Sequence, residues 1–158
     1  MKRLLVLLLT LLPLVSCEKM AKETVGERYA KSVKPPTTLY IYGGAKHDVY
    51  LGKLNASKFD TESIWNAYGS YGSKYRTTSI WNAYGTYGSE YNSYSPFNKY
   101  SSNPPILYDY YGKSYGYFTA NKNLANRANY ELIDIICEYY KDIRDDVSGW
   151  YDKIFRDY

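Results

Sequence analysis

"SIWNAYGSYGS" occupies residues 63–73 and "SIWNAYGTYGS" occupies residues 79–89. With the residues that follow, the two copies agree at eleven of their first thirteen positions. A third block from Ser95, "SPFNKYSSNPPILYDY", keeps Ser, an aromatic, Asn and Tyr at the matching places. The period is sixteen residues, giving blocks 63–78, 79–94 and 95–110. Within a copy, Ile64, Tyr68, Tyr71 and Tyr75 have helical spacing, but one helix through both copies fails on geometry. Sixteen steps of 100° would turn the second copy by roughly 160° from the first, and Gly69 and Gly72 would each cost about 1 kcal/mol in a helix interior.

A local reading fits better. Ser63 serves as N-cap, Ile64 to Tyr68 form a helical turn or two, and Gly69 ends them in the left-handed conformation. In the third block Pro96 falls on the first position inside this turn, where a fixed φ and a missing N–H are harmless; a central strand would not accept it. Units this short bury their aromatics only by stacking on one another or on neighbouring elements.

Outward from the repeats, "LYIYGGAKHDVYLGKLN" has β-prone runs at 39–42 and 49–54 around a turn-rich centre, and "PPILYDYYGKSYGYFTANK" has strand candidates at 106–110 and 115–120 with a turn at 111–113. Both read as β-hairpins. Towards the C-terminus, Leu124, Ala128, Leu132, Ile136, Tyr140, Ile143 and Val147 recur every three or four residues with charges between them. An amphipathic helix over about 123–148 is expected, with Ser148 and Gly149 as its stop before an apolar turn at Trp150, Ile154 and Phe155. The expected fold class is therefore α+β: a small domain of two β-hairpins, an irregular repeat region of short helical turns, and a C-terminal amphipathic helix packed across the sheet.

The N-terminus "MKRLLVLLLTLLPLVSC" has two cations, an apolar run from Leu4 to Leu12, and small or apolar residues up to Cys17. That is the layout of a secretory signal, with an apolar core too short to span a bilayer. The stretch "LVSC" resembles the bacterial lipobox, and the resemblance implies cleavage before Cys17 and its acylation. Residues 1–16 are then a lipoprotein signal peptide. Residues 17–38, polar and carrying Pro35 and Pro36, are a lipidated flexible tether with a short helix around 21–31, and residues 39–158 are one domain. Several acyl chains, at about 0.8 kcal/mol per buried methylene, hold a protein firmly to a membrane. The expected location is the bacterial cell envelope, on the outer face of the cytoplasmic membrane or on the outer membrane.

Composition narrows the function classes. Loss of Lys2 and Arg3 with the signal lowers the formal charge from +4 to +2, with both signs scattered, so no basic stripe points to nucleic acid. After processing only Cys137 retains a free thiol, so no internal disulfide is expected, and beside the apolar stripe it reads as a small buried hydrophobe. The single histidine, His47, sits beside Asp48 in a hairpin loop, and Asp60 and Glu62 precede the first repeat as capping acids would. An envelope hydrolase would need His47 within reach of Asp60, Glu62 or Asp109. No phosphate-cradling Gly loop, metal-ligand cluster or cofactor motif is read.

The surplus is aromatic: 22 Tyr in 158 residues, thirteen of them between Tyr68 and Tyr117. Tyr and Trp join an apolar face to a polar handle, which suits glycan or protein surfaces as well as packing. Trp65, Trp81 and Phe97 read foremost as the repeat core. Tyr71 and Tyr87, set between glycines and serines, read as exposed. The candidate contact set is Tyr71 and Tyr87, with Tyr68, Tyr84, Trp65 and Trp81 at the flanking repeat positions.

The phrase "SIWN-x-YG-x-YGS-x-Y", with "YLGKLN" before it and "SPFNKYSSNPP" after it, resembles a repeat of bacterial proteins to which no activity is assigned. The likeness spans roughly Tyr50 to Lys122. Some of those proteins have Cys where Lys53 and Ala56 stand, so a metal or redox role there would not extend to this chain. The functional expectation is a membrane-anchored lipoprotein acting as a non-catalytic binding or envelope-associated structural module, held to lipid through Cys17 and meeting cell-wall glycan or another envelope protein. The alternatives are the hydrolase, or an inhibitor or subunit of an exported protein.

Overall fold

The computed structural model describes residue 35 and residues 37–155. The signal peptide, Cys17, and all of the tether except residues 35, 37 and 38 lie outside the described residues. The fold is α+β, with a four-stranded antiparallel sheet and two C-terminal helices.

The first hairpin pairs β1 (Tyr40–Gly43) with β2 (Val49–Lys53), and the second pairs β3 (Ile106–Tyr108) with β4 (Ser114–Tyr117). At the second turn Gly112, with φ +80°, donates its N–H to the Asp109 carbonyl oxygen at 3.1 Å. Both hairpins join one sheet in the order β2-β1-β3-β4, because β1 also pairs with β3 across the whole repeat region. Period-two alternation divides the faces. Ile41, Leu51 and Leu107 are fully buried on one side. On the other, Tyr42 meets Tyr50 and Tyr108 with ring centroids 5.4 and 6.0 Å apart.

Residues 63–101 are a chain of linked tight turns. Backbone N–H groups of Asn66, Gly69, Ser73, Arg76 and Ser79 donate to the carbonyl oxygens of Ser63, Asn66, Gly69, Ser73 and Arg76, and the same sequence of turns recurs from Ser79 to Ser95. The steps of three, three, four, three and three residues add up to the period of sixteen. Most corners are closed by a short polar side chain: Ser63 and Ser79 Oγ accept from the N–H of Trp65 and Trp81, both at 3.1 Å, and Asn66 and Asn82 Oδ1 accept from Tyr68 and Tyr84 at 3.2 and 3.1 Å. These local bonds replace the helical ladder. The short helical turns expected over 64–68 and its equivalents are thereby corrected: residues 63–101 hold no helix, Ser63 closes a tight turn instead of capping a helical one, and Gly69 is not left-handed, the described glycines with positive φ being Gly44, Gly52, Gly112 and Gly116. The reason is that no helix ends at Gly69; its N–H closes one turn and its carbonyl opens the next. Glycine is needed nearby for room, since a side chain on Gly72 or Gly88 would collide with the backbone carbonyl of Asn66 or Asn82.

After each circuit the chain returns beside its starting point. Trp65 lies 5.9 Å from Trp81, and Trp81 lies 5.9 Å from Phe97, centroid to centroid. Trp65 donates its indole N–H to the Leu54 carbonyl at 2.7 Å, and Trp81 donates to the Ile64 carbonyl at 2.6 Å, so the buried polar edge of each ring is satisfied. Lys53 N–H donates to the Glu62 carbonyl and Ile64 N–H to the Lys53 carbonyl, which joins the first coil to the outer edge of β2.

The helices are α1 (Glu131–Asp145) and α2 (Val147–Phe155). The start is later than expected because residues 126–128 spend their backbone groups on β4: Tyr117 N–H donates to the Asn126 carbonyl at 2.8 Å, and Ala128 N–H donates to the Tyr117 carbonyl at 2.9 Å. The break is Asp146, not Ser148 and Gly149. Asp146 Oδ1 accepts from the Gly149 N–H at 2.9 Å and so caps α2, and the absent side chain of Gly149 leaves room for that carboxylate. The helices meet the repeats rather than lying across the sheet. Phe97 stacks on Tyr140 at 4.5 Å, Trp65 meets Phe155 at 5.7 Å, and Arg144 donates to the Gly88 carbonyl. Removing the edge of this aromatic column from water is the physical reason for that placement.

Candidate binding surface

The period of sixteen makes positions equivalent, and burial then sorts them. Trp65 and Trp81 have no exposed surface and Phe97 has 2%, so these rings form the inner column. The two indoles are thereby corrected as ligand contacts: the coils and the C-terminal helices close over them.

Tyr71 and Tyr87 are also corrected, from exposed to half-buried. Tyr71 lies 5.0 Å from the Tyr50 ring and fills the space a side chain on Gly52 would take, with its Cβ 2.7 Å from that position. Tyr87 fills the same role at Gly43, 2.8 Å from the position of a Cβ there. Burial, with Asp48 nearby, pushes the Tyr87 phenol above its ordinary pKa. These two rings seat the repeats on the first hairpin.

The remaining candidates stand in water. Tyr68 is 97% exposed and Tyr84 is 100% exposed, and the equivalent Tyr100 of the third block is 90% exposed. Their neighbours Ser70, Thr86 and Ser102 are exposed too. A second exposed pair, Tyr75 and Tyr91, occupies another position of the repeat, beside Lys74, Arg76 and Glu90. Sequence reasoning left out Tyr75, Tyr91 and Tyr100, although their register with the repeat was there to be read.

His47 has φ +54° and its Nε2 lies 2.9 Å from the Pro104 carbonyl oxygen. A carbonyl only accepts, so Nε2 carries the proton in that bond. The ring rests 5.8 Å from Tyr117, and Asn103 also bonds the loop carbonyls of Gly44 and Ala45, so His47 helps fasten the hairpin loop to the end of the third block. The three acids named with it are engaged elsewhere. Asp60 and Glu62 both reach Lys53 Nζ, at 3.0 and 2.8 Å, and Asp109 accepts from the N–H groups of Tyr111 and Lys113 and from the Tyr115 hydroxyl. Asp60 sits below the ordinary carboxyl range chiefly through the Glu62 N–H, then through Lys53, while its two acid partners raise the Lys53 amine to about 12.

An open groove of about 560 Å³ lies beside β4, lined among others by Tyr115, Tyr117, Arg127 and Tyr130. None of the candidate residues falls in it. Arg127 is tied to the Thr119 carbonyl and to Asp134. Among the described residues, no three His, Cys, Asp or Glu side chains converge as metal ligands, and no helix is long and apolar enough to cross a membrane. Compared with known proteins, the chain matches no family model, no curated protein and no solved structure.

Proposed function

We propose that this chain is a bacterial envelope lipoprotein, attached to the membrane through acylated Cys17, whose folded unit is a non-catalytic binding module that presents tyrosines to a partner. The anchor rests on the signal layout and the "LVSC" lipobox. One observation carries the binding reading: Tyr68, Tyr84 and Tyr100 occupy one repeat position on all three blocks and are at least 90% exposed, whereas Tyr75 and Tyr91 are exposed on two blocks only and the aromatics at 65, 71, 81, 87 and 97 are packed. Keeping a large amphipathic ring in water at the same place on three coils contributes nothing to the core and supplies a row of contact surface.

Two measurements test this. Mass spectrometry of the mature N-terminus should find Cys17 as an acylated first residue; an unmodified Cys17, or cleavage elsewhere, overturns the anchor. A chain of residues 18–158, made without signal or lipid, should still co-sediment with envelope fragments and lose that retention when Tyr68, Tyr84 and Tyr100 are all changed to Ala. Equal retention of the triple variant overturns the binding reading.

A further inference from the structure

We infer that the row Tyr68, Tyr84 and Tyr100 binds a neutral linear polysaccharide, one sugar ring to a phenol face, along the axis of the repeats. This deepens the binding reading above and rests on it. The first support is periodicity. The rings of the inner column lie 5.9 Å apart from one coil to the next, so the coils stack and equivalent surface positions recur in a row along them. A small ligand would touch one rung and gain nothing from the others, whereas a chain of rings gains from each additional rung through effective concentration.

The second support is charge. Residues 63–73 and 79–89 contain no charged side chain; the cations near the row are Lys99, beside its last ring, and Arg144 near Tyr84, which is half-buried and committed to the Gly88 carbonyl. Such a surface lacks the basic contacts that nucleic acid or an anionic membrane requires, and it lacks the aliphatic residues that insert into lipid. The third support is the chemistry of the neighbours. Exposed hydroxyls at Ser70, Thr86 and Ser102 follow each tyrosine by two residues, next to the phenol hydroxyls themselves. Flat aromatic faces flanked by neutral donors and acceptors match sugar rings, which have an apolar C–H face and a rim of hydroxyls.

Full-length protein in detergent would be sedimented with three neutral polysaccharides, chitin, cellulose and insoluble β-1,3-glucan, and titrated with soluble neutral oligosaccharides of two to six sugars. Retention by at least one polysaccharide is expected, with affinity rising as the oligosaccharide lengthens. Tyr84→Ala should weaken binding roughly three- to tenfold, as for loss of one aromatic contact, while Tyr84→Phe keeps most of it. Because these side chains touch the core nowhere, the variants should fold, and the length series tests the same idea on the unaltered chain. The inference falls if none of the three polysaccharides retains the protein, if affinity is independent of length, or if Tyr84→Ala binds as the wild type does. Tyrosine-dependent retention on envelope fragments with no binding to any glycan would overturn the sugar assignment and leave the binding module standing.

Discussion

Trp81 donates its indole N–H to the backbone carbonyl oxygen of Ile64, 2.6 Å away, and so ties the second coil to the first. Truncating this ring opens a cavity between Trp65 and Phe97 and strands a buried carbonyl. Trp81→Ala should therefore cost about 3–5 kcal/mol, whereas Tyr84→Ala should stay within about 0.5 kcal/mol. Urea unfolding of both variants checks the contrast, and similar losses for the two would contradict the burial pattern.

Gly72 tests the turn geometry. Any side chain there meets the Asn66 carbonyl, part of a backbone segment held on both sides by turn hydrogen bonds. Gly72→Ala should destabilise by about 2 kcal/mol or more, although alanine stabilises glycine positions whose backbone and surroundings accept a Cβ. A melting temperature equal to that of the parent would rule out the close approach.

Asp60 sets an acid limit. Its folded pKa lies below the ordinary value, so the stability it contributes is present above the unfolded pKa near 3.9 and is lost as pH falls through the folded pKa. Asp60→Asn should be less stable than the parent at neutral pH, and the difference should shrink to nothing in strong acid. A pH-independent difference would assign the loss to packing instead. The Lys53 amine has the opposite sense: raised to about 12, it contributes below its unfolded pKa and is lost as pH rises through the folded one.

Cys137 should be chemically quiet. Burial raises its thiol to about 12, so little thiolate exists at pH 8. In a Cys17→Ser chain, a thiol reagent at pH 8 should react slowly with the folded protein and fully after denaturation. Fast reaction in the native state would show that the sulfur is open.

Tyr50 carries a buried hydroxyl with no hydrogen-bond partner among the described residues. Replacing an unpartnered polar atom by hydrogen relieves a desolvation cost, so Tyr50→Phe should leave stability unchanged or raise it slightly. A loss above about 1 kcal/mol would reveal a partner for that oxygen.

The sequence by itself determined the two hairpins, a helical C-terminal segment and the equivalences of the repeat, though not the turn form of its coils or the bounds of the helices. Alternation of β-prone residues around turns located both hairpins to within a few residues, and the period of sixteen identified the coils, because these signals are local. It also put Trp65, Trp81 and Phe97 in the core. Tertiary structure alone decided which tyrosines meet water. Tyr71 sits between glycines and serines like an exposed loop residue, but a hairpin some twenty residues upstream supplies Gly52 as its seat, and no local pattern encodes that contact. Long-range pairing likewise joined the two hairpins through β1 and β3, and it drew residues 126–128 from the helix onto β4, because backbone groups take the partner that folding brings near. Equivalence was written in the repeat; exposure depended on what lay against each side of it.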